Sequence, residues 1–194
     1  MRKFRIIAML AAAFWLGACG NTEDTGAGST GDRPVVRMEV AGFGDITLEL
    51  YPEYAPETVA NFLGLVESGF YDGLTFHRII DGFMIQGGDP DGNGTGGSGE
   101  NIVGEFSANG HDNPLLHERG TISMARNMVS MDSASSQFFI MHQTGAFLDG
   151  DYAAFGRVIE GIEVVDAIVE AATAGQNGAV APADQPVITR MVIE

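Results

Sequence analysis

The chain has 194 residues, 26 of them acidic against 10 basic, and a formal net charge of −16. That balance speaks against nucleic acid and anionic membrane surfaces as partners, since both would repel it. It fits an acidic surface kept soluble in a saline habitat, or ordinary variation among exported proteins. A single cysteine excludes an intramolecular disulfide, so the fold must hold by packing alone.

The N-terminus opens with Arg2, Lys3 and Arg5, followed by an apolar run from Ile6 to Leu16. The run is too short and wrongly flanked for an ordinary membrane span, so residues 1–18 read as an export signal. Its last three residues together with the cysteine that follows, Leu16-Gly17-Ala18-Cys19, resemble the lipobox of bacterial lipoproteins. The resemblance implies lipid on Cys19 as the mature N-terminus. The protein would then sit in the cell envelope, anchored to a membrane and facing the periplasm or the exterior. A plain secretory signal cut nearby is the alternative. Residues 19–33 hold that cysteine and a Gly-, Thr-, Ser- and Asn-rich stretch that reads as a flexible tether. Residues 34–194 are left for one globular domain, long enough for a full core.

That domain opens with a hairpin. Val36, Met38 and Val40 alternate with Arg37 and Glu39, Ile46, Leu48 and Leu50 alternate with Thr47 and Glu49, and Ala41-Gly42-Phe43-Gly44 turns the chain between them. Pro56 then starts a helix with Glu57 in its first turn, where the helix dipole favours negative charge. Val59, Phe62, Leu63 and Val66 form its apolar face, and Ser68-Gly69 stops it. Further strands are expected over 74–80, 83–87, 120–126, 137–142, 153–159 and 186–193. A second helix is expected over about 162–172, with Ile162, Val165, Ile168 and Val169 facing in and Glu163, Asp166 and Glu170 facing out. Many short strands with two amphipathic helices suggest a barrel closed by helices.

The stretch from Phe76 to Gly88 concentrates chemistry. Alternation puts Arg78 and Ile80 on one strand face and Ile79 on the other, Asp81-Gly82 turns, and Phe83, Met84 and Gln86 follow. If the two runs pair, a cationic fork, an apolar wall and an amide share one surface. Such a surface suits a small apolar group beside a polarised carbonyl; the plainer reading is a core hairpin with a surface arginine. Asp89, Asp91, Asn93, Gly94 and Glu100 satisfy the spacing of an EF-hand calcium loop, but a strand precedes them and five glycines loosen the loop. Gly92, Gly94 and Gly97 match a dinucleotide loop, but no helix follows. His77, His111, His117 and His142 lack metal-ligand spacing. Ser133, Ser135 and Ser136 near Asp132 lack a nucleophile elbow. Met124, Met128, Met131 and Met141 read as core or rim.

Phe76 to Asp89 resembles the central motif of the cyclophilins, the peptidyl-prolyl cis-trans isomerases. The likeness continues in Ala55-Pro56-Glu57-Thr58-Val59-Ala60-Asn61-Phe62, Gly94-Thr95-Gly96-Gly97, Ser123-Met124-Ala125, Ser136-Gln137-Phe138-Phe139-Ile140, Phe147-Leu148-Asp149-Gly150 and Phe155-Gly156-Arg157-Val158. The blocks keep the family's order. The resemblance implies a mostly β fold: a closed eight-stranded antiparallel barrel capped by two α-helices. It implies an isomerase of X–Pro bonds, here serving the folding of exported proteins, with proline-containing polypeptides as partners. No cofactor, metal or nucleic acid is implied, and a monomer is expected.

Carried over residue by residue, Arg78 supplies a donor to the prolyl nitrogen, and Gln86 hydrogen-bonds the substrate backbone and helps orient the arginine. Phe83, Met84, Phe139 and Leu148 line the proline pocket. Gln137 and the backbone at Ala125 and Arg126 hold the residues before proline, and Gly94 lines the neighbouring groove. Three positions depart from the pattern of the eukaryotic members: Arg126 stands for Asn, Phe147 for Trp and Tyr152 for His. These rim changes imply weak cyclosporin binding and leave the arginine and pocket floor in place. A proline-peptide binding module or holdase with incidental catalysis is the competing reading, and a calcium-binding surface protein is a third.

Overall fold

The computed structural model describes residues 33–194. The signal segment, Cys19 and most of the tether fall outside the described residues. Eight strands run β1 Val35–Val40, β2 Gly44–Leu50, β3 Thr75–Ile80, β4 Met84–Asp89, β5 Thr121–Met124, β6 Phe138–Met141, β7 Ala154–Glu160 and β8 Ile188–Ile193. Helix α1 spans Pro56–Glu67 and α2 spans Ile162–Ala171. The strands form one sheet in the order β3-β4-β6-β5-β7-β2-β1-β8, with every neighbouring pair antiparallel. Each expected element is present, with ends shifted by a few residues.

The expected closed barrel is corrected to a curled half-barrel, open at 247°. The edge strands β3 and β8 meet only near Thr75, which bridges Val187 just before β8 begins. Beyond that point the segment between α2 and β8 takes the free edge of β3. Ala179 bridges Arg78, and the Val180 N–H donates to the His77 carbonyl at 3.0 Å. A loop thus pairs part of the edge that closure would have used.

Inside the curl, Phe62, Tyr71, Phe76, Phe138 and Phe155 pack with ring centroids 5.1–6.1 Å apart, several edge to face. Helix α1 contributes Val59, Phe62 and Val66 to this core, and α2 contributes Val164, Val165 and Ile168. No side chain of α1 caps its own start. Instead the buried Glu105 carboxylate accepts the N–H groups of Glu57 (3.0 Å) and Thr58 (2.7 Å), satisfying two of the donors a helix start leaves free. Gly88 is required where β4 meets β6. Its φ is +79°, and a Cβ there would lie 2.5 Å from the Ser136 carbonyl oxygen.

Candidate active site

The site is built on the outer face of β3, β4 and β6. Phe76 faces Gly87 and Arg78 faces Gln86, so His77 is an extra residue in the ladder, a bulge. Phe76 and His77 are therefore both buried, and the strand re-enters register with Arg78 pointing outward beside Gln86. Regular alternation from Phe76 would have placed that ring on the same face as Arg78 and Ile80. The bulge separates the core ring from the arginine.

Arg78 is held from two sides. Its Nη1 donates to Gln86 Oε1 at 3.1 Å; Nε donates to the Asn177 carbonyl at 3.0 Å and Nη2 to Asn177 Oδ1 at 3.3 Å. Gln86 Nε2 donates to Gln137 Oε1 at 2.9 Å, and Gln137 Nε2 to the Gly96 carbonyl at 2.8 Å. This chain of bonds ties the guanidinium to the Gly-rich loop. Partial burial pulls the arginine's pKa below its ordinary value. It stays a cation at neutral pH, as arginine does in proteins.

Beside the guanidinium lies a pocket of about 120 Å³, lined by Phe83, Met84, Gln86, Ala125, Arg126, Phe139, Leu148 and Tyr152 with Arg78 itself. Met84, Phe139, Met141 and Leu148 form a small buried cluster beneath it, distinct from the main core. His117 is buried against this floor. Its ring stacks on Phe139 at 5.9 Å, Nδ1 lies 2.9 Å from Asp149 Oδ1 and Nε2 lies 3.0 Å from Ser123 Oγ. Burial lowers its pKa, and the pull of Asp149 in the other direction does not restore it. A neutral ring with both nitrogens engaged keeps the pocket floor uncharged.

Next to the pocket runs a groove of about 380 Å³ bounded by Gln86, Gly94 to Gly97, Ala125, Arg126 and Gln137. The Ala125 N–H is already bound to the Gln137 carbonyl at 2.9 Å. Any backbone grip from this stretch therefore falls to the Ala125 carbonyl or the Arg126 N–H. The Arg126 side chain also enters the site. It lies over the Tyr152 ring at 4.8 Å and donates through Nε to the Asp151 carbonyl at 2.9 Å.

The structure thus brings together Arg78, Gln86, Phe83, Met84, Phe139, Leu148, Tyr152, Ala125, Arg126, Gln137 and Gly94. Phe147 stands apart from the pocket wall: the residue is 73% exposed and its ring packs on Phe83 at 5.3 Å. Asp89 is spent inside its own loop, accepting the N–H groups of Asp91, Asn93 and Gly94. Its burial raises the carboxyl pKa, but those three bonds together outweigh it and hold the group below its ordinary value. Two residues near the site escaped the sequence reading. Asn177 carried one visible signal, the Asn-Gly pair at 177–178, which marks a turn but not what the turn touches. His117 carried none, because stacking on a ring 22 positions away leaves no spacing pattern.

The family model for cyclophilin-type peptidyl-prolyl cis-trans isomerases matches residues 35–193. Peptidyl-prolyl cis-trans isomerase B of Bacillus subtilis is 52% identical over 118 residues, covering 61% of this chain and 78% of that protein. A probable peptidyl-prolyl cis-trans isomerase of Brucella suis is 39% identical over 190 residues, 92% of this chain and 91% of that one. A peptidyl-prolyl cis-trans isomerase-like 2 protein of Gibberella zeae is 44% identical over 142 residues, of which this chain spans only 24% of the length. Among solved structures, a cyclophilin-type isomerase of Cryptosporidium parvum, determined in the presence of the dipeptide Ala-Pro, superposes with a TM-score of 0.73 at 32% identity. It covers 82% of this chain and 98% of that chain. With the half-barrel, the two helices and the arginine beside an apolar pocket already in place, the chain belongs to the cyclophilin-type peptidyl-prolyl cis-trans isomerases.

Proposed function

We propose that this protein accelerates cis–trans exchange of X–Pro bonds in exported polypeptides, from a lipid anchor at Cys19 in the cell envelope. The observation that carries the catalytic reading is the placement of a doubly held guanidinium at the mouth of a small apolar pocket. Rotation about an X–Pro bond crosses a barrier of about 18–20 kcal/mol set by amide resonance. Lowering it needs no nucleophile. It needs a seat for the proline ring, a grip on the adjoining backbone, and a donor that strengthens as resonance breaks.

The assignment of roles follows from that requirement. Phe83, Met84, Phe139, Leu148 and Tyr152 seat the ring. Gln137 and the backbone of Ala125 and Arg126 hold the preceding residues, and Gly94 leaves the groove open beside them. Arg78 donates to the prolyl nitrogen as it turns pyramidal. That bond exists mainly in the twisted transition state, so it raises turnover rather than binding. Gln86 occupies one side of the guanidinium and fixes its plane. An arginine fork keeps that direction where a lysine ammonium would not.

The experiment is exchange NMR on an X–Pro peptide, which reads turnover and binding together. Arg78→Ala should lower kcat/KM by about 10²–10³, the range for removing one preorganised donor. Arg78→Lys should recover only part of the loss, and both variants should bind peptide within several-fold of wild type. Equal exchange rates for wild type and Arg78→Ala at matched saturation would end the catalytic assignment. The anchor rests on the Leu16-to-Cys19 sequence alone. Two or more acyl chains hold a protein firmly where one does not. Cys19→Ser should therefore leave an unprocessed, unlipidated precursor; a lipid-free mature N-terminus elsewhere, found by mass spectrometry of the native chain, would sink the anchor.

A further inference from the structure

We propose that the β5–β6 loop, through Met128 and Val129, is a second recognition surface that selects X–Pro sites flanked by a large apolar side chain. This rests on the isomerase reading above and extends it from the proline to its neighbours. Met128 is 82% exposed and Val129 is 96% exposed. These adjacent side chains leave apolar surface uncovered at one loop tip.

The loop is not slack. Asn127 Oδ1 accepts the N–H groups of Val129 and Ser130, each at 2.9 Å. Ser133 Oγ accepts the Asn127 N–H at 3.0 Å and donates to the Ser130 carbonyl at 2.8 Å. Ser130 Oγ accepts the Asp132 N–H at 3.2 Å. Polar side chains thus satisfy the backbone of the loop and leave its two apolar side chains facing out. A frame of this kind lowers the ordering cost when a partner arrives.

The loop is also continuous with the pocket. The Tyr152 hydroxyl, on a residue that lines the pocket, donates to Met128 Sδ at 3.8 Å. At the base of the loop, Arg126 donates through Nη1 to the Asn127 carbonyl at 3.1 Å and lies over the Tyr152 ring. A polypeptide whose proline is seated in the pocket therefore has the Met128–Val129 tip one side chain away from the pocket wall. An extended chain advances about 3.3–3.6 Å per residue, so a residue a few positions from the proline can reach the tip. The occupant is the client polypeptide, because the surface adjoins the pocket that takes its proline. Methionine suits such a surface, because its unbranched, polarizable side chain adapts to partners of different shape. Unfolded chains, with their apolar residues uncovered, offer such partners and folded ones do not.

The test uses the full-length chain and peptides of equal length centred on Ala-Pro, with either Leu or Ser two and three positions from the proline on each side in turn. Exchange NMR gives kcat/KM, and shift titration gives affinity. Wild type should favour the Leu-flanked peptide by about tenfold, the scale expected for partly covering one such side chain. In the double variant Met128→Ser, Val129→Ser the preference should fall to within about twofold, with the melting temperature unchanged. A wild-type preference near one, or a preference that survives in the double variant, overturns the proposal. So does sedimentation showing that wild type dimerises through this loop and the variant does not, since a second copy would then be the occupant. If wild type binds both peptides but turns over neither, the isomerase reading fails while the affinity ratio still decides the loop.

Discussion

Strand β6 serves two interiors at once, and the contrast between them explains how this fold makes a site. Phe138 and Ile140 point into the main core under α1 and α2; Phe139 and Met141 point the other way into the small cluster below the pocket. All four are buried. The difference lies in what closes each side. The main core is sealed by helices and by rings packed edge to face. The outer cluster is sealed only in part, by His117, Leu148 and Tyr152, and the gap that remains is the pocket. One interior is finished by the protein, and the other is left for a ligand to finish.

The largest test of this contrast is a pair of neighbouring substitutions. Phe138→Ala removes a ring that touches Phe62, Tyr71 and Phe76. It should cost about 3–5 kcal/mol of stability, because the helices cannot collapse into the void. Phe139→Ala should cost less stability, since one side of its ring already borders open space. It should instead lower kcat/KM by about tenfold or more, the scale for losing a well-buried apolar contact with substrate. Thermal melts and exchange kinetics on both proteins separate the two effects. Equal losses of stability, with activity per folded molecule intact in Phe139→Ala, would erase the distinction between the two interiors.

The sequence carried most of this organisation, through two signals with different reach. Periodicity was clearest in β1 and the two helices, each of which has one buried face repeating at its own spacing; β5 and β6 are buried on both faces and show no such alternation. The resemblance named the pocket residues, which are scattered over β3, β4, β6 and the loops and share no local pattern. What neither signal held was the geometry between segments. Whether β3 and β8 close depends on Ala179 and Val180 occupying the edge of β3, a pairing about 100 positions apart in sequence. The bulge at His77 was equally hidden, since Phe76-His77-Arg78 reads as ordinary alternation until Gly87 is seen opposite Phe76. Asn177 belongs to the same class: its relation to Arg78 exists only once the loop has folded back.

That loop allows a smaller test, on the polar side of the pocket. Asn177 has φ +57°, a left-handed conformation that asparagine tolerates better than most residues. Its carbonyl and its Oδ1 both accept from Arg78. Asn177→Gly keeps the backbone conformation and the carbonyl bond and removes only the side-chain bond. It should lower kcat by about three- to tenfold with KM little changed, as expected when one bond to a charged group that orients the donor is lost. Asn177→Ala should lose more, because alanine is strained at this φ. A matching fall in binding without a fall in kcat would make the residue part of the groove rather than a support for the arginine.

The smallest effect concerns pH. His77 is buried, and neither ring nitrogen has a hydrogen-bond partner among the described residues. Burial pulls its pKa below 6.5; Asp89 opposes the shift and Arg78 adds to it. His117 is lowered by burial too, against the pull of Asp149. Unfolded histidines take up a proton near 6.5, while these folded ones resist it, so below that pH the unfolded chain binds more protons. Stability from both groups is therefore full above about pH 6.5 and declines as the pH falls toward their folded values. Asp89, held low in the fold, adds a second decline only as the pH falls below 3.8. The melting temperature should thus be level above neutrality and descend in two stages on acidification. His77→Leu removes two unpartnered nitrogens in favour of an apolar side chain, an exchange that is close to neutral at pH 8 when shape is kept. It should shrink the first stage while leaving the part due to His117, whose bonds to Asp149 and Ser123 are untouched. Melting curves for wild type and His77→Leu between pH 8 and pH 5 that run parallel throughout would show that His77 does not carry this dependence.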